Sequence, residues 1–188
     1  MFQNALILLA NGFEELEALA PADVFRRAGV AVTLAGVGAD SAGFVTSAHG
    51  VAVRCDTPVE ALDPAVQWEL VYFPGGMPGS RNLANSAVCR ELARSARDRG
   101  AWLCAICAAP MALDAAGVLD GVEYTCYPGT EKQLHSGIYT GRYIQRSGKI
   151  LTACGPAAAL DFALEILRAG GAAPLAAQLS AGMMMRKP

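Results

Sequence analysis

Ala101-Trp-Leu-Cys-Ala-Ile-Cys107-Ala-Ala-Pro110-Met-Ala-Leu113 begins as a short apolar run, breaks at a cysteine, and passes through small residues and a proline into a helical pattern. A strand that runs straight into a helix leaves its corner residue at the helix N-terminus. Unsatisfied backbone N–H groups and the helix dipole favour negative charge there. A thiol at such a corner is expected to lose its proton easily, and the thiolate is the reactive form of cysteine. Cys107 is therefore the first candidate for a functional centre.

The flanking sequence repeats this strand-then-helix pattern. Asn4 to Ala10 is continuously apolar and reads as a strand buried on both faces. Asn11-Gly12 turns the chain into a helix over Glu14 to Ala28, with acids in its first turn, Arg26 and Arg27 in its last, and Gly29 as its stop. Val30 to Val37 is the next strand and completes a βαβ unit. Phe44 to Thr46 and Val51 to Val53 read as a hairpin around Ala48-His49-Gly50. Glu69 to Pro74 is a buried strand ending in the loop Gly75-Gly76-Met77-Pro78-Gly79, and Ser86 to Arg99 is an amphipathic helix capped by Gly100. Beyond the Cys107 corner, a short strand is predicted over Val122 to Tyr127 and a short helix over Thr130 to His135. A hairpin is predicted from Arg142 to Gln145 and Lys149 to Ala153, turning at Ser147-Gly148. A helix follows from Gly155-Pro156 to about Ala169, and a last one over Ala172 to Met185. Alternating buried strands and helices imply a doubly wound α/β sandwich with its site at the C-terminal ends of the strands. The loops at Asn11 to Phe13, Gly75 to Gly79 and Cys107 should therefore converge on one crevice.

A chain of 188 residues, 53% hydrophobic and 17% charged, can bury one sizeable core and reads as one domain over 1–188. The net charge of -2, with no basic block, gives no reason to expect nucleic acid or an anionic membrane as a partner. The N-terminus lacks the positive region of an export signal. The apolar run from Ala101 to Leu119 contains Pro110, Asp114 and Gly117, so it is not read as a membrane span. Six cysteines without an export signal point to reduced thiols in the cytoplasm. No Cys/His cluster has zinc-ligand spacing, so no structural metal is expected.

The bland reading of Cys107 is a buried structural cysteine. Its place at the corner separates it from Cys104, which lies inside the strand. For the same reason, Cys104-Ala-Ile-Cys107 is a poor dithiol redox motif. Glu14, Glu15 and Glu17 could simply form a solvated first turn. Glu17, however, shares its stripe with Phe13, Ala20, Pro21 and Val24, and Glu14 also has apolar neighbours, whereas Glu15 falls with Arg26. A carboxyl on an apolar face has a raised pKa and can donate to a thiolate or carry protons. Spacing alone does not choose between Glu17 and Glu14. The glycine loop can be a tight turn or an oxyanion hole, the latter formed by the N–H groups of Gly76 and of Ala108, the residue after the nucleophile. It matches neither G-x-G-x-x-G nor a Walker motif. His49 and His135 read as surface residues without a sequence-local acid.

The motifs Leu9-Ala-Asn-Gly-Phe-Glu-Glu-Leu-Glu17, Phe25-Arg-Arg-Ala-Gly29, Phe73-Pro-Gly-Gly76, Ala105-Ile-Cys-Ala-Ala-Pro110, Cys154-Gly-Pro156 and Asp161-Phe-Ala-Leu164 together resemble the DJ/PfpI/ThiJ superfamily. Within it, the chain is similar to the subgroup of the parkinsonism-associated protein deglycase and its bacterial relatives. The resemblance covers nearly the whole chain. It implies a flavodoxin-like fold of the class I glutamine amidotransferase type, with a mostly parallel central sheet, and a homodimer. It places the nucleophile at Cys107, selects Glu17 as the acid beside it, and suggests Gly76 and Ala108 as backbone donors. His49 falls where many relatives carry an arginine near an anion-binding spot, close to the residue matching Arg27. Cys154, Gly155 and Pro156 would help to line the pocket near the dimer contact, with Gly75 and Tyr127 as further pocket residues. Where many members carry a histidine before a proline, this chain has Tyr127-Pro128. A tyrosine is a poor base at neutral pH, so cysteine-peptidase chemistry is disfavoured. What the resemblance implies is a cofactor-independent glyoxalase or deglycase acting on a small aldehyde such as methylglyoxal or on a glycated protein. The alternative is an oxidative-stress sensor with chaperone-like behaviour.

Overall fold

The apolar run at the start of the chain forms β1 (Asn4–Ala10). Its alternate residues serve two cores: Ala5, Ile7 and Leu9 pack into one layer, and Leu6, Leu8 and Ala10 into the other. A strand sandwiched in this way cannot show hydrophobic alternation, which is why its sequence is continuously apolar. The computed structural model describes residues 1–185. In it β1 is followed by α1 (Glu15–Arg27), β2 (Ala31–Val37), a hairpin of β3 (Phe44–Thr46) and β4 (Ala52–Arg54), and the short edge strand β5 (Thr57–Pro58). Then come β6 (Leu70–Phe73), α2 (Gly79–Asn85), α3 (Ala87–Asp98), β7 (Trp102–Ile106), α4 (Pro110–Ala115) and β8 (Glu123–Tyr124). The last elements are β9 (Ile138–Tyr139), β10 (Ile144–Ser147), β11 (Ile150–Ala153), α5 (Ala159–Ala169) and α6 (Ala173–Gly182).

The main sheet has the order β10-β11-β7-β6-β1-β2-β5 and is parallel except for the β10–β11 hairpin. One face carries residues of α1, α5 and α6, and the other those of α2, α3 and α4. This is a flavodoxin-like, doubly wound α/β sandwich. The chain leaves β1 for β2 on one side and returns to β6 on the other. The crevice of such a sheet opens where the order reverses, at the C-terminal ends of β1 and β6.

Local chemistry sets the bounds of α1. Glu14 is its N-cap, accepting the Glu17 N–H at 2.8 Å. At the other end Gly29, with φ of 79°, allows Val30 N–H to bond Phe25 C=O and Gly29 N–H to bond Arg26 C=O, closing a Schellman turn.

Several local expectations need correction. The loop of glycines after β6 is shorter than expected because Gly79 already begins α2, a seven-residue polar helix with no side-chain cap for the sequence to reveal. Only Glu123–Tyr124 of the strand expected over 122–127 is a strand, and it pairs with β9 in a small separate sheet. Thr125 is instead bonded across to Thr152 and Arg142, which turns the chain away from a ladder. The helix expected at 130–135 is a 3-10 turn over Thr130–Gln133. The β10–β11 hairpin turns one residue later than expected, with Ser147 paired to Ile150. The final helix stops at Gly182; its expected reach to Met185 lies within the described residues and is not helical.

Candidate active site

Cys107 sits immediately after β7 with φ of 61°, in the left-handed region that side chains avoid. Main-chain bonds hold it there. Its N–H donates to Ala153 C=O at 2.9 Å, and its C=O accepts from Tyr127 N–H at 2.9 Å. The neighbouring turn is closed by Ala109 N–H to Ile106 C=O. A non-glycine residue in this conformation costs about 1–2 kcal/mol, and the bend carries the side chain into the same core layer as α1.

Glu17 is fully buried on α1. Its Oε2 accepts the Gly75 N–H at 2.8 Å, its Oε1 is buried without a partner, and the carboxyl as a whole faces the Cys107 thiol. Gly75 is pinched between the two groups. A Cβ there would collide with Glu17 Oε2, stand 2.6 Å from the Cys107 Cβ and 2.8 Å from the Ile106 carbonyl. Gly76 has φ of 88° and packs against the backbone of Phe13 and Glu14, so its N–H can face the sulfur. The Ala108 N–H faces it too.

Burial pushes the Glu17 carboxyl up to about 7, with the Glu14 charge adding to the rise, while the thiol and the Gly75 N–H oppose it. The thiol runs against expectation. Its own burial, then the Glu17 carboxylate, push it up to about 12, and the Gly76 and Ala108 N–H groups pull it back only in part. The helix that follows does little to lower it. Residues 107–109 form a turn, and α4 begins only at Pro110 and is six residues long, so little dipole reaches the sulfur.

The structure brings Cys107, Glu17, Gly75, Gly76 and Ala108 together. Tyr127 reaches the site through its backbone, while its half-exposed ring lies over Gly155, where a Cβ would be 3.3 Å from it. Pro156 starts the 3-10 turn that leads into α5. Glu14, left open by spacing, is spent on the cap. Glu15 does not pair with Arg26. Both its carboxylate oxygens lie 3.0 Å from His49 Nδ1, and this contact raises the His49 pKa and lowers that of Glu15 against the effect of its burial. His49 is exposed, as expected, but has an acid partner that sequence distance hid. Arg27 is not brought near it. It bonds Asp23 at 2.7 Å in the last turn of α1, about 18 Å along the helix from Glu15. Glu14, Glu15 and His49 place three donor atoms within 4.8 Å of one another, and the cap and the ion pair account for all three.

Sequence reasoning missed Tyr72. It is fully buried on β6 between Phe25 and Phe162, its hydroxyl has no partner, and the charges of Glu17 and Glu14 reach it. Only an aromatic with a polar tip inside an apolar strand could have signalled this. A cleft of about 470 Å³ lies at the opposite end of the sheet beside Phe2, Trp68 and Trp102. Strained backbone and a dry acid, rather than cleft size, mark the chemistry. Among the described residues no helix is long and apolar enough to cross a membrane.

Known proteins share this fold. Residues 3–169 match the model of the DJ-1/PfpI family. The chain is 34% identical over 187 residues to Parkinson disease protein 7 homolog of Danio rerio, covering 98% of each. It is 31% identical over 170 residues to the glutathione-independent glyoxalase DJR-1.2 of Caenorhabditis elegans, covering 88% of this chain and 87% of that one. The crystal structure of Drosophila melanogaster DJ-1beta superposes with a TM-score of 0.92 at 32% identity, over the full length of both chains. On the strength of the elbow cysteine, the buried acid and these matches, the chain belongs to the DJ-1/PfpI family.

Proposed function

We propose that the protein is a cofactor-independent glyoxalase that converts methylglyoxal-type α-oxoaldehydes, free or as early adducts, to hydroxy acids. The observation that carries this reading is the pinch at Gly75, which seats a dry carboxyl against an elbow cysteine beside two backbone donors. The kinship with a protein named as a glutathione-independent glyoxalase supports it. Cys107 is 9% exposed, which favours a small aldehyde over a bulky protein adduct.

In the reaction the sulfur attacks the aldehyde carbon as the thiol proton passes to Glu17. Gly76 and Ala108 N–H groups stabilise the resulting alkoxide. A carboxyl with a pKa near 7 both takes and returns protons at neutral pH: Glu17 gives the thiol proton to the alkoxide oxygen, completing the hemithioacetal, and then, as carboxylate, moves a proton from the first carbon to the second. This converts the hemithioacetal to a thioester. Water then cleaves the thioester, releasing lactate in the case of methylglyoxal and restoring the thiol. The test is lactate formation without glutathione. Wild type turns over and Cys107→Ser does not; equal rates would overturn the proposal.

The same reading includes a homodimer. Leu16 and Leu19 are exposed on α1, and Phe44 and Val51 are exposed on or beside the hairpin that is tied to the start of α1 through Thr46 and Ala48. Sedimentation at micromolar concentration checks it.

A further inference from the structure

We infer that Cys154 is a resolving thiol for Cys107, and that a hydroperoxide joins the two in a reversible disulfide within one chain. The inference rests on Cys107 being the nucleophile proposed above.

The β7–β11 ladder pairs Leu103 with Ile150 and continues residue by residue to Ile106 with Ala153. The next residues along are Cys107 and Cys154. The Cys107 N–H to Ala153 C=O bond, 2.9 Å long, closes that last pair, so the two cysteines leave the ladder from adjacent positions. Neighbouring strands lie about 4.7–4.9 Å apart, inside the Cα separation of about 4.4–6.8 Å that a disulfide requires. The left-handed bend swings Cys107 into the layer of α1 and α5, and Cys154 packs at the edge of that same layer. The Glu17 charge acts on both thiols.

None of the other cysteines has this placement. Cys104 is buried deeper in β7, opposite Tyr72 and Leu151. Cys89 and Cys126 belong to the other layer. Cys55 lies against β2 near Gly36, across β6 and β1. Cys154 is also only half-buried, so small peroxides and thiol reductants can reach it.

The chemistry balances in two steps. The Cys107 sulfur attacks one oxygen of the hydroperoxide; an S–O bond forms, the O–O bond breaks, and the thiol proton leaves with the alkoxide as an alcohol. The product is Cys107 sulfenic acid. The Cys154 sulfur then attacks the Cys107 sulfur; an S–S bond forms, the S–O bond breaks, and the hydroxyl leaves with the Cys154 proton as water. Two thiols are oxidised and one hydroperoxide is reduced. Two equivalents of a small thiol reverse the disulfide. The device turns the site off while sparing Cys107 from sulfinic acid, which such thiols do not reverse.

The test treats the reduced full chain with limiting tert-butyl hydroperoxide and reads its intact mass without reductant. Wild type is expected to lose two hydrogens as a single chain, to yield a peptide linking Cys107 and Cys154, and to recover its mass with dithiothreitol. Cys154→Ser is expected to gain one or two oxygens at Cys107 instead. Wild type that gains oxygens at Cys107 as fast as the variant overturns the inference. So does a link between two chains, a link to another cysteine, or a Cys107 that resists peroxide. Methylglyoxal turnover of the reduced wild type is measured alongside. A linked but inactive protein removes the glyoxalase reading and keeps this one, whereas an active protein that never links does the reverse.

Discussion

At the start of α1, Glu15 and Glu17 meet the positive end of the helix; at its finish, Arg26 and Arg27 meet the negative end. Both turns obey the same dipole rule. Their tertiary circumstances differ. Glu17 is sealed beneath the glycine loop and holds a proton near neutral pH, whereas Arg27 stands in water beside Asp23 with about half its side chain exposed. Local electrostatics therefore explains why the charges are tolerated in those turns, and burial decides which of them does chemistry.

The sharpest way to break this comparison is to remove the dry acid. Glu17→Gln keeps the shape and an acceptor for the Gly75 N–H but cannot carry protons. Lactate formation from methylglyoxal should fall by about 10²–10⁴-fold. A variant within threefold of wild type would put the proton carrier elsewhere.

The second effect is on stability. Because burial raises Glu17 to about 7 from an ordinary 4.5, the folded protein holds a proton there that the unfolded chain releases. Between those values the folded state binds more protons, so stability falls as pH rises through them and the loss is complete above 7. Urea unfolding should show roughly 2–3 kcal/mol lost between about pH 5 and pH 8.5 in wild type, and a flatter profile in Glu17→Gln. Parallel profiles would show that Glu17 is ionised in the fold.

Tyr72→Phe should be smaller still. The hydroxyl it deletes is buried without a partner, so the change should be neutral or stabilising by up to about 1 kcal/mol in the same assay. A loss above that would reveal a hydrogen bond to the hydroxyl.

At the wet end, Arg27→Ala should cost under about 0.5 kcal/mol, because an exposed i,i+4 pair contributes little. Its turnover should match wild type. A large fall would mean that Arg27 serves a site across a dimer, since its own chain's site is too far away.

The sheet was legible because β1, β6 and β7 are buried on both faces and so are written as unbroken apolar runs. The weak elements were not: α2 has no cap or apolar stripe to announce it, and β8 owes its brevity to the bonds of Thr125 with Thr152 and Arg142. In the site, Cys107 and Gly75-Gly76 could be placed by their corner and loop. Glu17 could not be separated from Glu14 by spacing, because the capping bond that occupies Glu14 is a matter of backbone geometry. The upward push on the thiol was not legible because sequence cannot show how deeply Cys107 is buried beside Glu17, nor that two residues of turn separate it from its helix. His49 and Glu15 meet across 34 positions, a distance that no local pattern spans.

The hold on Cys107 has a practical consequence. The elbow is fastened by the N–H and C=O of residue 107 itself, to Ala153 and Tyr127, and neither bond involves the sulfur. The mould therefore outlives its nucleophile. A chain with serine or alanine at this position keeps the same cradle of amides and the same acid, and so should become an inert trap in which the aldehyde proposed above can be caught intact and seen.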